Sequence, residues 1–234
     1  MNSCGFAWSR ALSNSGVLAG RRALVTGGTR GIGRAIAATL RGAGCEVTVV
    51  ARGVPADGVV ADVTKTEDIE RLTQSQNPDI IVHAAGAFEL APIAQTSVES
   101  FDRILAANLR GAFLLIRAFL PRMLARGSGH IVSIGSIAGR QALPGNGAYS
   151  ASKYGLRGLH AVLDVELKGT GVRSTLIEPS ATDTELWDQV DRERNPGLPR
   201  REAMLAPEAV ADTVLYVLTR EEQTHINYLG LERS

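Results

Sequence analysis

From residue 22 onward the chain alternates short β-branched or aliphatic runs with longer stretches of helical apolar spacing, and this alternation narrows its fold more than any other feature. The runs are ALVTG (23–27), CEVTVVA (45–51), GVVADV (58–63), DIIVHAAG (79–86), HIVSIGS (130–136), VRSTLIEP (172–179) and THINYLG (224–230). Most are near-continuous in apolar residues, the pattern of strands buried on both faces and so of parallel strands covered by helices. GRAIAATLRGAG, VESFDRILAANLRGAFLLIRAFLPRMLARG, SASKYGLRGLHAVLDVELKGTG and PEAVADTVLYVLTRE lie between them with helical spacing, each marked by glycine or proline. Strand after helix over one uninterrupted length predicts a single doubly wound α/β domain with a mainly parallel sheet of seven strands and helices on both faces.

Two segments depart from the alternation. Only RGVPADG separates the second run from the third, too short for a crossover helix, so a loop must carry the chain between those strands. Residues 186–205, LWDQVDRERNPGLPRREAML, mix prolines with charge and read as a lid, with Leu186, Trp187, Leu198 and Met204 facing Phe88, Leu90 and Leu143 across a substrate space.

Composition sets the class. Of 234 residues 44% are hydrophobic and 21% charged, a globular balance, and the net charge of +1 gives no reason to expect nucleic acid or an anionic membrane as partner. No apolar run approaches the ~20 residues needed to span a bilayer. Cys4 and Cys45 lie too far apart in sequence to read as a disulfide framework or a metal cluster, which fits a reduced, cytoplasmic protein. His130, His160 and His225 have no partners at metal-ligand spacing and read as surface or strand-edge residues; no metal is expected. Residues 1–17 read as a disordered extension, with a transit segment as the competing reading, and residues 18–234 as the domain.

The first strand runs into TGGTRGIGRAIA. Gly27 suits a tight turn, Gly31 a close backbone approach to phosphate, and Gly33 the packing of the next helix, whose N-terminal amides face a pyrophosphate. Glycines alone would say little, but strand, glycines and amphipathic helix in this order read as a Rossmann-type dinucleotide cradle. At the end of the second strand, where an acid would bind a ribose 2′-hydroxyl, the sequence reads VVARG: Ala51 removes the acid and Arg52 offers a cation for a 2′-phosphate. Arg30 offers a second, so the charge pattern favours NADP(H) over NAD(H). Asp62 is a candidate for the adenine amino group, with turn capping as its competing role.

GAYSASKYGLRG, residues 147–158, sets Tyr149 and Lys153 four apart, on one face of a helix. An ammonium beside a phenol favours the phenolate and lowers its pKa.

With the glycine loop and this pair in hand, the sequence resembles the short-chain dehydrogenase/reductase family over about residues 18–230. The shared motifs are TGxxxGIG at Thr26–Gly33, NxxG from Asn108, Ser136 thirteen residues before Tyr149, YxxxK at Tyr149–Lys153, and a PGxxxT-like segment at Pro179–Thr184. It departs from the pattern at HAAG, where His83 and Ala84 replace the usual asparagines, and at Ser180, which replaces a glycine. The resemblance implies hydride transfer between nicotinamide and a carbonyl or secondary alcohol, with Tyr149 as proton donor. It implies that Lys153 assists the phenol and binds the ribose, that Ser136 orients the substrate oxygen, and that Asn108 holds a water leading from Lys153 to solvent. It also lays Thr29, Ile32, Val63, Ala85 and Gly86 along the cofactor, with Pro179, Thr182 and Thr184 beyond. A 3-oxoacyl carrier-protein reductase is the alternative enzyme, and a non-catalytic dinucleotide sensor or scaffold the alternative from another class. The long helices from residues 98 and 149 carry apolar residues on more than one face, so a homodimer or homotetramer is expected.

Overall fold

The structure, a computed structural model, describes residues 16–53, 58–190 and 197–234. In chain order its regular elements are β1 (Arg22–Thr26), α1 (Gly31–Gly42), β2 (Glu46–Ala51), β3 (Gly58–Val60), α2 (Thr66–Ser75), β4 (Ile80–His83), α3 (Val98–Leu105), α4 (Gly111–Arg126), β5 (Gly129–Ile134), α5 (Gly147–Glu166), β6 (Val172–Pro179), α6 (Pro207–Leu218) and β7 (Tyr228–Leu231). The strands form one sheet in the order β3-β2-β1-β4-β5-β6-β7, and every pairing is parallel. This is the doubly wound order, with the change of direction between β1 and β4.

Alternation along the strands explains why they read as unbroken apolar runs. On β1, Ala23 and Val25 join one core with Ile36 and Leu40 of α1 and Val210 and Val214 of α6. Leu24 points the other way, into a core with Ile69 and Leu72 of α2, Leu115 and Phe119 of α4 and Leu163 of α5. β4 and β5 repeat the division, Val82 and Val132 on the first face and Ile81 and Ile131 on the second. Both faces are dry, so a polar residue on either face of the central strands requires an internal partner.

β2 and β3 pair directly from Val49↔Gly58, and most of the loop crossover expected between them, residues 54–57, lies outside the described residues. α2 was not legible in the sequence: its ten residues bury only Ile69 and Leu72, although Glu67 and Asp68 in its first turn suit a helix start. The expected extension falls mostly on residues 1–15, outside the described residues, whereas Leu18 is 5% exposed and already packs in the core. Residues 191–196 of the expected lid are likewise outside.

The segment Val98–Arg126 is, by length and composition alone, long and apolar enough to cross a bilayer, which no unbroken apolar run in the sequence announced. The fold uses it as a core helix instead, with Leu115, Phe119 and Met123 against the sheet. It is not one regular helix: residues 106–110 form a π-turn between α3 and α4. His130 and His160 are each only 4% exposed, which corrects their placement at the surface.

Candidate active site

The segments leaving the C-terminal ends of β1 to β6 meet over a cleft of about 1320 Å³. Ligands of open parallel sheets bind at this edge, where the winding reverses. Every candidate cofactor residue lines the cleft: Gly27, Thr29, Arg30, Gly31, Ile32 and Gly33; Arg52, Asp62 and Val63; Ala85 and Gly86; Tyr149 and Lys153; Pro179, Thr182 and Thr184. Ser136 lines it as well, whereas Asn108 stands behind its wall.

The glycine loop is built around close approaches. Gly27 has φ +69°, and a Cβ there would sit 2.8 Å from the Ala85 backbone; a Cβ on Gly33 would sit 2.3 Å from the Gly27 carbonyl oxygen. Arg30 caps α1 without a side-chain hydrogen bond, so the first amides of the helix and two exposed side chains, Thr29 and Arg30, are left toward the cleft. Arg52 is exposed at the end of β2. Bare backbone, a helix N-terminus and two cations fit a dinucleotide diphosphate and a further phosphate. Asp62 commits Oδ1 to the Thr64 amide at 2.9 Å and the Thr64 hydroxyl at 2.8 Å, the turn-capping role weighed against adenine binding. The loop after β6 folds back onto the cradle: Thr184 Cγ2 comes within 3.1 Å of a Cβ built on Gly31, and Glu185 pairs with Arg34 at 3.1 Å.

α5 carries Tyr149 and Lys153 as its spacing requires. Lys153 is 6% exposed and donates to the Ile134 carbonyl at 2.8 Å, with Nζ 5.6 Å from the centroid of the Tyr149 ring. Burial pushes its ammonium down to about 8, partly opposed by the negative charge of Glu178. The expected lowering of the Tyr149 pKa by Lys153 is not what the structure has. The phenol is shifted upward, because burial outweighs the opposing hydrogen bond with Ser136. Ser136, 9% exposed, caps the short turn at Ile137–Gly139 by accepting the Ala138 amide at 3.2 Å, and its hydroxyl is held beside the phenol.

Asn108 is fully buried in the π-turn. Its Oδ1 accepts the Ala87 amide at 2.7 Å, and its Nδ2 donates to the Ala87 carbonyl and to Ser152 Oγ, both at 2.9 Å. Ser152 passes the bond on to the Tyr149 carbonyl at 2.6 Å. The side chain therefore clamps the β4–α3 loop to α5, and both of its amide hydrogens are used. His83 lies below, 3.2 Å from Thr26 Oγ1, and burial holds its pKa down to about 3, so the ring is neutral and structural.

At the far end of the cleft Phe88 meets Tyr149 edge-on at 4.9 Å and Trp187 at 5.5 Å, and Leu90, Leu143, Leu186 and Leu198 continue the apolar wall. Met204 was expected among them but is 1% exposed and lies outside the cleft lining. The Trp187 indole N–H donates to the Thr182 carbonyl at 3.0 Å. Sequence reasoning missed Ser152 and the C-terminal residues Glu232 and Arg233, which also line or support the cleft; no local pattern marks them.

The family of short chain dehydrogenases matches residues 21–195. The chain belongs to this family. As a short-chain dehydrogenase it is an oxidoreductase, and its relatives bear this out. It is 34% identical over 240 residues to the glycine betaine reductase ATRR of Emericella nidulans, covering 93% of this chain but only 19% of that much longer protein. It is 31% identical over 232 residues to an uncharacterized oxidoreductase of Staphylococcus aureus, covering 90% of this chain and 96% of the relative. Among solved structures, a metagenomic short-chain oxidoreductase in complex with NADP superimposes with a TM-score of 0.79 at 29% identity, over 93% of this short-chain dehydrogenase and 99% of that chain.

Proposed function

We propose that the protein is an NADP(H)-dependent oxidoreductase that interconverts a carbonyl group and a secondary alcohol. The observation that carries this reading is the continuity of one cleft from the cradle at Gly27–Gly33 to the Tyr149 phenol. A solved relative in complex with NADP supports the dinucleotide, as do Arg30 and Arg52 at the adenosine end, where they would hold the 2′-phosphate.

When bound, the nicotinamide supplies hydride in one direction and accepts it in the other. Tyr149 gives its proton to the carbonyl oxygen during reduction and takes it back during oxidation. Ser136 holds that oxygen with its hydroxyl, which lies beside the phenol. Lys153 stabilises the phenolate left after transfer, and its ammonium, anchored on the Ile134 carbonyl, would also bind the ribose of the cofactor. Thr182 and Thr184, which line the cleft after β6, would help hold the nicotinamide. Ala85 and Gly86 line that end, and Gly86 lets the loop pack against Asn108, since a Cβ there would come within 3.1 Å of Asn108 Oδ1.

The apolar wall suits an uncharged carbonyl compound with an apolar substituent. At this end Arg103 is engaged by Glu89 at 2.7 Å, and Arg233 donates to the Met204 carbonyl at 2.7 Å. Self-association fits the exposed apolar residues Phe113 and Leu124 on α4 and Tyr154, Val162 and Val165 on α5; sedimentation of the purified protein would show a dimer or tetramer.

The deciding experiment is Tyr149→Phe assayed with NADPH against ketones, aldehydes, quinones and acyl thioesters. Loss of ~10²-fold or more in kcat with NADPH binding retained is expected. A variant that keeps most of its activity would refute the mechanism.

A further inference from the structure

Beneath the site lies a carboxylate that the proposed chemistry does not use. Glu178, at the end of β6, is 1% exposed. Its Oε2 receives Arg157 Nη1 of α5 at 2.7 Å and the Tyr228 hydroxyl of β7 at 3.1 Å, and lies 3.6 Å from Arg140 Nε beyond the Ser136 turn. Its Oε1 is buried with no hydrogen-bond partner among the described residues. Burying a carboxylate costs free energy unless something repays the desolvation, and here only one of two oxygens is satisfied.

The surroundings show what the carboxylate spans. Its stem occupies space left by two glycines that bracket Ser136: a Cβ on Gly135 would lie 2.8 Å from Glu178 Cγ, and one on Gly139 would lie 3.2 Å from Glu178 Oε1. The same Cβ on Gly139 would be 2.9 Å from the Lys153 carbonyl oxygen, so the unpaired carboxylate oxygen and the backbone of Lys153 close on one point. Arg157 stands one helical turn after Lys153 on the same helix. One carboxylate thus touches the turn that carries Ser136, the helix that carries Tyr149 and Lys153, and the strand that leads into the cofactor loop.

We propose that Glu178 is a positioning residue: its carboxylate fixes the Ser136 turn against α5 and supplies the negative charge that faces Lys153. The groups around it define the electrostatics. Lys153 is faced by Tyr149 on its own helix, neutral His83 from β4 and Glu178 from β6. Glu178 is faced by Arg157, Arg140 and Tyr228. Among the charges acting on Lys153, that of Glu178 favours its protonated form.

The inference rests on the reading of Lys153 as part of the catalytic apparatus, and its test is separable from turnover. Lys65, Lys153 and Lys168 are the only lysines, so lysine labelled with carbon-13 at Cε gives three signals whose titration can be followed in the intact protein. Glu178→Gln should move the Lys153 midpoint down by about one unit, and Glu178→Asp should return most of it. Arg157→Leu, which removes a competing cation and leaves Glu178 in place, should move it up; this variant decides the matter if Glu178→Gln does not fold. In active protein the alkaline limb of kcat should move with the signal, with KM for NADPH changed less than kcat. An unmoved Lys153 midpoint in folded Glu178→Gln, or in Arg157→Leu, would overturn the proposal. Absence of carbonyl turnover in the wild type, with the midpoint still shifting in the variants, would instead count against the proposed reaction alone.

Discussion

Asn108 donates from Nδ2 to Ser152 Oγ at 2.9 Å, and through this bond the π-turn of the longest helical run is fastened between Tyr149 and Lys153. Gly155 allows the approach, since a Cβ there would lie 2.7 Å from Leu109 Cδ2. Asn108→Leu removes a fully buried amide and leaves the Ala87 amide and carbonyl and the Ser152 hydroxyl to find other partners. A loss of about 2–4 kcal/mol in urea unfolding is expected, together with lower kcat. A stability within ~0.5 kcal/mol of wild type would show that the clamp carries no weight.

Lys153 is held in place against its own solvation. Its folded-state pKa, about 8, lies below the ordinary lysine value of 10.5, so the charged form is disfavoured by folding. The resulting penalty is complete below pH 8, about 3 kcal/mol in order of magnitude, and fades as pH rises from 8 to 10.5. Lys153→Met should therefore be inactive yet more stable than wild type at pH 7, with the advantage shrinking across that window. Denaturant midpoints at a series of pH values would test this, and a difference that stays constant with pH would contradict it.

The buried histidines make the opposite end of the pH scale sensitive. Burial holds His83 and His130 down to about 3 and His160 to about 4, against 6.5 for an ordinary imidazole. Each folds neutral, so the unfolded chain binds more protons, and stability is full above pH 6.5 and falls as pH drops below it. His130 is fixed by Thr175 Oγ1 at 2.8 Å, whereas among the described residues His160 has no side-chain partner at hydrogen-bond distance. His160→Leu should leave stability at pH 8 within ~1 kcal/mol and shift the acid-unfolding midpoint lower. An unchanged midpoint would exclude His160 as a contributor.

Two glycines with equally tight surroundings should separate folding from function. A Cβ on Gly171 would lie 2.1 Å from the Gly127 carbonyl oxygen, at φ +80°, far from the cleft; one on Gly33 would lie 2.3 Å from the Gly27 carbonyl oxygen, inside the cradle. Gly171→Ala should lower Tm and leave the NADPH dissociation constant of the folded protein unchanged. Gly33→Ala should weaken NADPH at least ~10-fold by forcing the cradle apart. Calorimetric titration beside thermal melts reads both quantities, and equal NADPH affinity in the two variants would refute the distinction.

What could be read from sequence followed from periodicity and fixed spacing. The apolar runs announced the sheet because both of its faces are dry, and TGxxxGIG and YxxxK announced the cleft because each is set by local geometry. Contacts made across the fold left no such mark. Glu178 meets Arg140, Arg157 and Tyr228 from three different elements, and Ser152 meets Asn108 across 44 positions. The direction of the Tyr149 shift was misjudged for a related reason: a neighbouring cation is visible in the sequence, but the depth of burial that opposes it is not. α2 was hidden because a helix on the outer edge of the second core needs only Ile69 and Leu72 to hold it.

The π-turn at residues 106–110 also holds a spare residue, because its i→i+5 bonds take in one residue more than an α-helical turn. Removing one residue there would let the segment close into regular α-helix, and Leu115, Phe119 and Met123 beyond it, all buried, would keep their places in the core. What the deletion would cost is the offset that carries Asn108 to Ser152: the core beneath the sheet would survive and the clamp on α5 would not.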